Sequence, residues 1–239
     1  MATKPLIKAL TEAGVGSRRR MADAIKQGKV KVNGVLAESF TQPVDVVKDR
    51  ILFNGQPVNL EPDRVICLML NKPEGIVSTV SDDKGRRTVL DILPSKYKQY
   101  RLYPVGRLDI DTTGLILLTN DGDLTYRLTH PKFEFEKEYL VAIKGSLTGE
   151  EKQQLQRGVL LEDGMTHPAK IREISQFPFN YSVIIHEGRK RQVRRMFEHL
   201  HHVVSALKRV RVGRLTLGDL KEGELRLLSP AEISTLLNG

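Results

Sequence analysis

The chain has 239 residues, with 38 Lys and Arg against 29 Asp and Glu, a formal net charge of +9 and 40% apolar residues. That length suffices for one or two buried cores, and the excess of cations points to an acidic partner. A single cysteine, Cys67, excludes intramolecular disulfides and thiolate metal clusters; no stretch nears the roughly 18 apolar residues of a membrane helix and the N-terminus lacks a signal-peptide core, so a soluble cytoplasmic protein is expected.

Leu6, Ile7, Leu10 and Ala13 recur at helical spacing, and Gly14 supplies a stop. Ser17 is placed to cap a second helix bearing Met21, Ala24 and Ile25, which Gly28 closes. Arg18, Arg19 and Arg20 open that helix and cannot all be buried; contact with phosphates and plain solubility are both open readings. Lys29 to Val35 alternates as a strand and runs into Asn33-Gly34, a strong hairpin signal. Residues 1–60 therefore read as one small domain. Val58 to Arg64 is polar, contains proline and lacks periodicity, as a linker does.

From residue 61 to 239 the texture changes to short strands broken by turns. The expected strands are Val65 to Leu70, Leu115 to Thr119, Glu138 to Ile143 and Tyr181 to His186. The Ser81–Arg87 loop, with Gly85 and three cations, reads as a mobile basic tip suited to RNA. Asn120 to Asp123 is a turn leading into a short helix that Pro131 ends. Thr148 and Glu151 match a capping box for a helix reaching about Arg157. These spacings do not alternate as strand-helix-strand units, so the class is α+β, with a mostly antiparallel or mixed sheet flanked by helices.

Chemistry concentrates in two segments. Gly106 to Asn120 puts Asp109 on a loop rich in Gly and Thr just before an apolar strand, which leaves room for a substrate to approach its carboxylate, although most such Asp residues only cap turns. Between His186 and Arg214 nine Lys or Arg face only Glu187 and Glu198. Within that window Val193, Met196, Phe197 and Leu200 predict an amphipathic helix from Gln192 to about His201. The helical wheel sets Arg194 at the edge of the apolar face, where it reaches a cleft and pairs with a carboxylate, and turns Arg195 toward solvent or RNA. A surface bridge from Arg194 to Glu198 is the alternative. His199, His201 and His202 lack a ligand pattern, so no metal is expected, and no phosphate loop or dinucleotide fingerprint calls for a nucleotide cofactor. Asp109 with Asp111, and Asp121 with Asp123, keep a metal-dependent nuclease reading open.

The run Gly106-Arg-Leu-Asp-Ile-Asp-Thr-Thr-Gly-Leu-Ile-Leu-Leu-Thr-Asn-Asp-Gly122 closely resembles the ribosomal RNA pseudouridine synthases of the RsuA/RluB type. Leu70-Asn-Lys-Pro-Glu-Gly75, Lys137-Glu-Tyr-Leu-Val141, Glu187 to Met196 and Leu207 to Gly213 agree in order. Gly16-Ser-Arg-Arg19 and Gly28-Lys-Val-Lys-Val-Asn-Gly34 look like that family's αL RNA-binding domain. The resemblance covers nearly the whole chain. It implies conversion of uridine to pseudouridine in rRNA without cofactor or metal. Asp109 is then the essential carboxylate, Arg194 its cationic partner and Tyr139 the ring that stacks on the uracil and serves in proton transfer. Leu207 lines the uracil pocket. Lys72, with Pro73, sits on the substrate side and supports the catalytic loop more than the chemistry, while Arg107, Arg189, Lys190 and Arg195 face the substrate. Ser17, Arg18, Arg19 and Lys29 are the RNA contacts of the small domain. The Arg157 to Gly164 block and the Arg-rich third motif look more like the large-subunit members. Small-subunit rRNA, or a non-catalytic RNA-binding assembly factor, is the alternative.

Overall fold

The computed structural model describes residues 3–61 and 63–237. Two compact units emerge: Met1–Val65 with Ser95–Arg101, and Ile66–Pro94 with Leu102–Gly239. The Ser95–Arg101 segment thus falls with the first unit, outside the 1–60 span expected from sequence.

In the first unit the helices Leu6–Glu12 and Arg18–Lys26 pack apolar stripes over a four-stranded antiparallel sheet. Leu6, Leu10, Met21, Val30 and Val44 are fully buried there. The sheet order is Val35–Leu36, Val30–Val32, Ile51–Phe53, Gln56–Val58. Asn33 (φ 52°) and Gly34 (φ 85°) take the left-handed conformations that a two-residue hairpin turn requires.

The second unit is built on a mixed sheet, ordered Lys170–Gln176, Phe179–Ile185, Lys137–Ile143, Val204–Val212, Thr113–Thr119, Cys67–Lys72, Leu225–Leu227. Its neighbours are antiparallel except where Val204–Val212 runs parallel to Thr113–Thr119, pairing Lys208 with Thr113 and Arg209 with Gly114. Gly114 has φ +104°, and a Cβ there would stand 2.2 Å from the Arg209 carbonyl oxygen. Only glycine lets these two backbones meet. One apolar cluster, including Met69, Leu115, Leu117, Leu124 and Leu236, fixes the Gly122–Thr129 and Pro230–Leu237 helices against the sheet. The Gly149–Arg157 helix opens on the reciprocal Thr148–Glu151 capping box. The fold is α+β. No helix among the described residues is long and apolar enough to cross a membrane.

Candidate active site

Asp109 lies on the 106–112 loop leading into the Thr113–Thr119 strand, and that loop is fixed on both sides of it. Ahead of it, Ser78 Oγ donates to the Leu108 carbonyl at 2.9 Å and accepts from the Leu108 N–H at 3.1 Å. Behind it, the Ile110 carbonyl accepts from the Gly75 N–H at 2.9 Å and from Lys72 Nζ at 3.5 Å. Thr112 N–H closes onto the Asp109 carbonyl at 3.1 Å. Gly75 closes one of the quoted motifs, but Ser78 does not stand out in the sequence, since a Ser thirty positions away carries no local signal.

Lys72, expected on the substrate side, is instead fully buried, with Nζ donating to the Pro73 and Ile76 carbonyls at 2.8 Å as well as to Ile110. Burial pushes its pKa down from 10.5 to about 8. An ammonium enclosed by three carbonyls anchors the loop and has no face left for a substrate.

Arg194 occupies the buried side of the Gln192–His199 helix at 4% exposure. Its Nη1 donates to the Val204 carbonyl at 2.9 Å and Nη2 to the Asp111 carbonyl at 2.8 Å, while Nε lies 3.4 Å from Asp111 Oδ2. Its acidic partner is therefore Asp111, where the sequence reading expects Asp109. The turn at residues 110–111 swings Asp111 inward against the helix, and Arg191 adds a second cation to it at 3.1 Å. No hydrogen bond or ion pair from a described residue reaches the Asp109 carboxylate, which is partly exposed. The alternative bridge from Arg194 to Glu198 does not form either.

The Lys137–Ile143 and Val204–Val212 strands carry the other expected site residues. Tyr139 is paired with Val183 on one side and Arg209 on the other, and Val141 is paired with Tyr181 and Leu207. Directly opposed residues share a face, so Tyr139, Leu207 and Arg209 look the same way. On that face Tyr181 meets Phe197 of the Gln192–His199 helix, ring centroids 6.2 Å apart. Tyr139 and Leu207 are 8% and 5% exposed. They thus lie on the side of the sheet that carries the Arg194 helix.

Several cations expected to face the substrate have internal partners. Arg195 makes a two-pronged contact with Asp163, both bonds 2.9 Å, instead of turning to solvent or RNA. Arg189 donates to Glu187 Oε2 at 3.0 Å and to the carbonyls of Gly164 and Met165. Together they pin the Leu160–Leu161 and Gly164–Met165 hairpin to the start of the helix, because its turn offers both a carboxylate and outward carbonyls. Lys190 and Arg107 remain exposed. In the 81–87 loop Arg86 is held by Asp82 at 2.6 Å, and Asp82 also accepts from the Lys84 and Arg86 N–H groups, so the expected mobile tip is a tied turn.

In the first unit Ser17 Oγ accepts from the Arg20 N–H at 3.1 Å and so caps the helix, while its O–H remains a donor. Arg18, Arg19 and Lys29 are exposed, and the Arg20 guanidinium lies 5.9 Å from the centre of the Phe53 ring. Arg19, Arg20, Lys29 and Phe53 line an open groove of about 420 Å³. Exposed guanidiniums beside an aromatic face suit phosphates and unstacked bases.

The family described as RNA pseudouridylate synthase matches residues 66–199, and the S4 domain family matches residues 4–51. A Bacillus subtilis (strain 168) protein named ribosomal large subunit pseudouridine synthase B is 43% identical over 235 residues, 97% of this chain and 94% of that protein. A Pseudomonas aeruginosa protein of the same name is 44% identical over 241 residues, covering 97% of this chain but 61% of its own length. A crystal structure of a pseudouridylate synthase aligns at a TM-score of 0.69 and 36% identity, over 98% of this chain and 99% of the other. The chain belongs to the RNA pseudouridine synthase family and carries an S4 domain in its N-terminal unit.

Proposed function

We propose that this enzyme converts one uridine of large-subunit ribosomal RNA to pseudouridine in the cytoplasm, with Asp109 as the essential carboxylate. The observation that carries the proposal is the contrast within one loop: backbone bonds fix Leu108, Ile110 and Thr112, while the Asp109 carboxylate between them is left without a partner among the described residues. A fixed backbone with an available anion suits a reaction at a sugar. In the isomerisation the bond from uracil N1 to C1′ breaks and one from C5 to C1′ forms; C5 loses a proton and N1 gains one, so nothing is consumed. Positive charge builds on C1′ as the first bond breaks. A carboxylate there stabilises it, attacks it, or takes the neighbouring ribose proton, and all three roles need the same free oxygen.

Arg194 acts by holding Asp111 and the Val204 strand, so that the loop keeps Asp109 toward the substrate. Tyr139 provides the stacking surface for the base and Leu207 the apolar lining. The target uridine leaves its stack to enter, at a cost of a few kcal/mol that backbone contacts offset. Arg18, Arg19 and Lys29 supply such contacts. The large-subunit assignment is supported by the names of the two relatives above.

Mapping pseudouridines in rRNA from cells with and without the protein identifies the target. Asp109→Asn is expected to abolish product from that RNA while binding largely persists. Retained turnover in this variant would refute the assignment of Asp109.

A further inference from the structure

Arg209 is only 4% exposed, and its Nε donates to the Leu115 carbonyl at 2.8 Å. No carboxylate of a described residue lies within ion-pair distance of it. The other enclosed cations differ. Arg194, equally buried, meets Asp111, and Lys72 is surrounded by carbonyls. A guanidinium taken out of water without an acid is strongly unfavourable, unless an anion arrives to complete it. Neither Nη1 nor Nη2 of Arg209 bonds a described residue, yet neither is sealed off as Nε of Arg194 and of Arg195 are.

Its position narrows the ligand. Across the sheet Arg209 faces Tyr139 on one strand and Gly114, at the start of the strand that follows Asp109, on the other. Lys137, two residues before Tyr139, is a half-buried cation whose Nζ donates to the Phe135 carbonyl at 3.0 Å and whose pKa is pushed down to about 8 by burial and then by Arg209, with Glu187 pulling the other way. A second positive charge on the face that carries Tyr139 adds to the attraction for an anion there. A planar guanidinium fork matches the paired oxygens of a phosphodiester.

We propose that Arg209 forms an anion subsite for the phosphodiester adjoining the flipped uridine, an inference that rests on the synthase reading above. The subsite secures the extruded nucleotide by its backbone while Asp109 acts on the sugar.

The test uses an rRNA fragment carrying the mapped uridine, with a neutral methylphosphonate placed at the linkage 5′ or 3′ to it. For wild type, neutralising one of the two linkages is expected to raise KM about ten- to hundredfold, the range for a charge-assisted hydrogen bond, with kcat largely kept. Arg209→Gln is expected to show the same rise with unmodified RNA and less than about a twofold further change with the neutral linkage, since one bond cannot be removed twice. Arg209→Lys should recover part of the affinity. An indifferent response of wild type to both neutral linkages overturns the subsite, and because it needs no variant it decides even if Arg209→Gln fails to fold. Full additive losses in a folded Arg209→Gln enzyme also overturn it. Failure to map any uridine removes the synthase reading and the subsite together, whereas a mapped uridine with a flat response removes the subsite alone.

Discussion

Two short helices carry arginines in or just before their first turn, and the structure treats them in opposite ways. On Arg18–Lys26 the three leading arginines are exposed and none is ion-paired with a described acid. Around Gln192–His199 the guanidiniums of Arg189, Arg191, Arg194 and Arg195 are all held by carboxylates or carbonyls of the same unit. The denser positive run in the sequence is thus the less available one. Charge density along a chain measures how many cations exist, whereas attraction of a polyanion depends on those still uncompensated at the surface.

Arg194→Ala breaks this contrast most severely. It leaves Asp111 and the Val204 carbonyl without their donor, and the expected loss is about 2–3 kcal/mol, below the roughly 3–5 of a fully buried pair because Asp111 is 36% exposed. Urea unfolding measures it, and a loss under about 1 kcal/mol would locate the brace elsewhere. Replacing Arg18, Arg19 and Arg20 by Gln is expected to change folding stability by no more than about 0.5 kcal/mol per site. The same variant should flatten the slope of log affinity against log salt by roughly 0.7–0.9 for each phosphate that is no longer neutralised. An unchanged slope would remove this helix from the RNA surface.

Two lysines whose charge is disfavoured by burial sharpen the comparison through pH. Lys72 and Lys137 both titrate at about 8 in the folded protein against an ordinary 10.5. Between these values the unfolded chain binds more protons, so these two groups make stability rise with pH from about 8 to 10.5, and below 8 the full penalty of burying the charge applies. Denaturation midpoints across that window should show the rise and a smaller one in Lys137→Met; a fall of equal size in both proteins would contradict it. The smallest effect belongs to Arg195→Ala, whose partner Asp163 is 46% exposed. It should cost about 0.2–1 kcal/mol and leave the salt slope of RNA binding unchanged. A slope reduced as much as by an Arg19 substitution would return Arg195 to the RNA-facing surface.

Features encoded over a few residues are readable from the sequence. The Asn33-Gly34 turn, the Thr148–Glu151 box and the helix around Met196 and Phe197 each depend on neighbours within four positions. Val204–Val212 is harder. Its alternation of apolar and charged residues reads as a basic run, yet it is the strand that joins the antiparallel and parallel parts of the sheet. The family motifs place Asp109, Tyr139, Arg194 and Leu207 in one reading. They give no sign of the Ser78 clamp on Leu108, of Asp111 as the acid beside Arg194, or of Arg209 enclosed without an acid.

By itself, then, the sequence determined where helices start, where turns fold back, how much charge the chain carries and which family motifs it holds. The tertiary structure decided which cations meet which partners, as when Arg194 reaches Asp111 across 83 positions and Arg195 reaches Asp163 across 32. The reason is physical: caps and turns are satisfied by bonds a few residues away, while Coulomb energy falls with distance in space and desolvation follows burial, and neither is a function of separation along the chain.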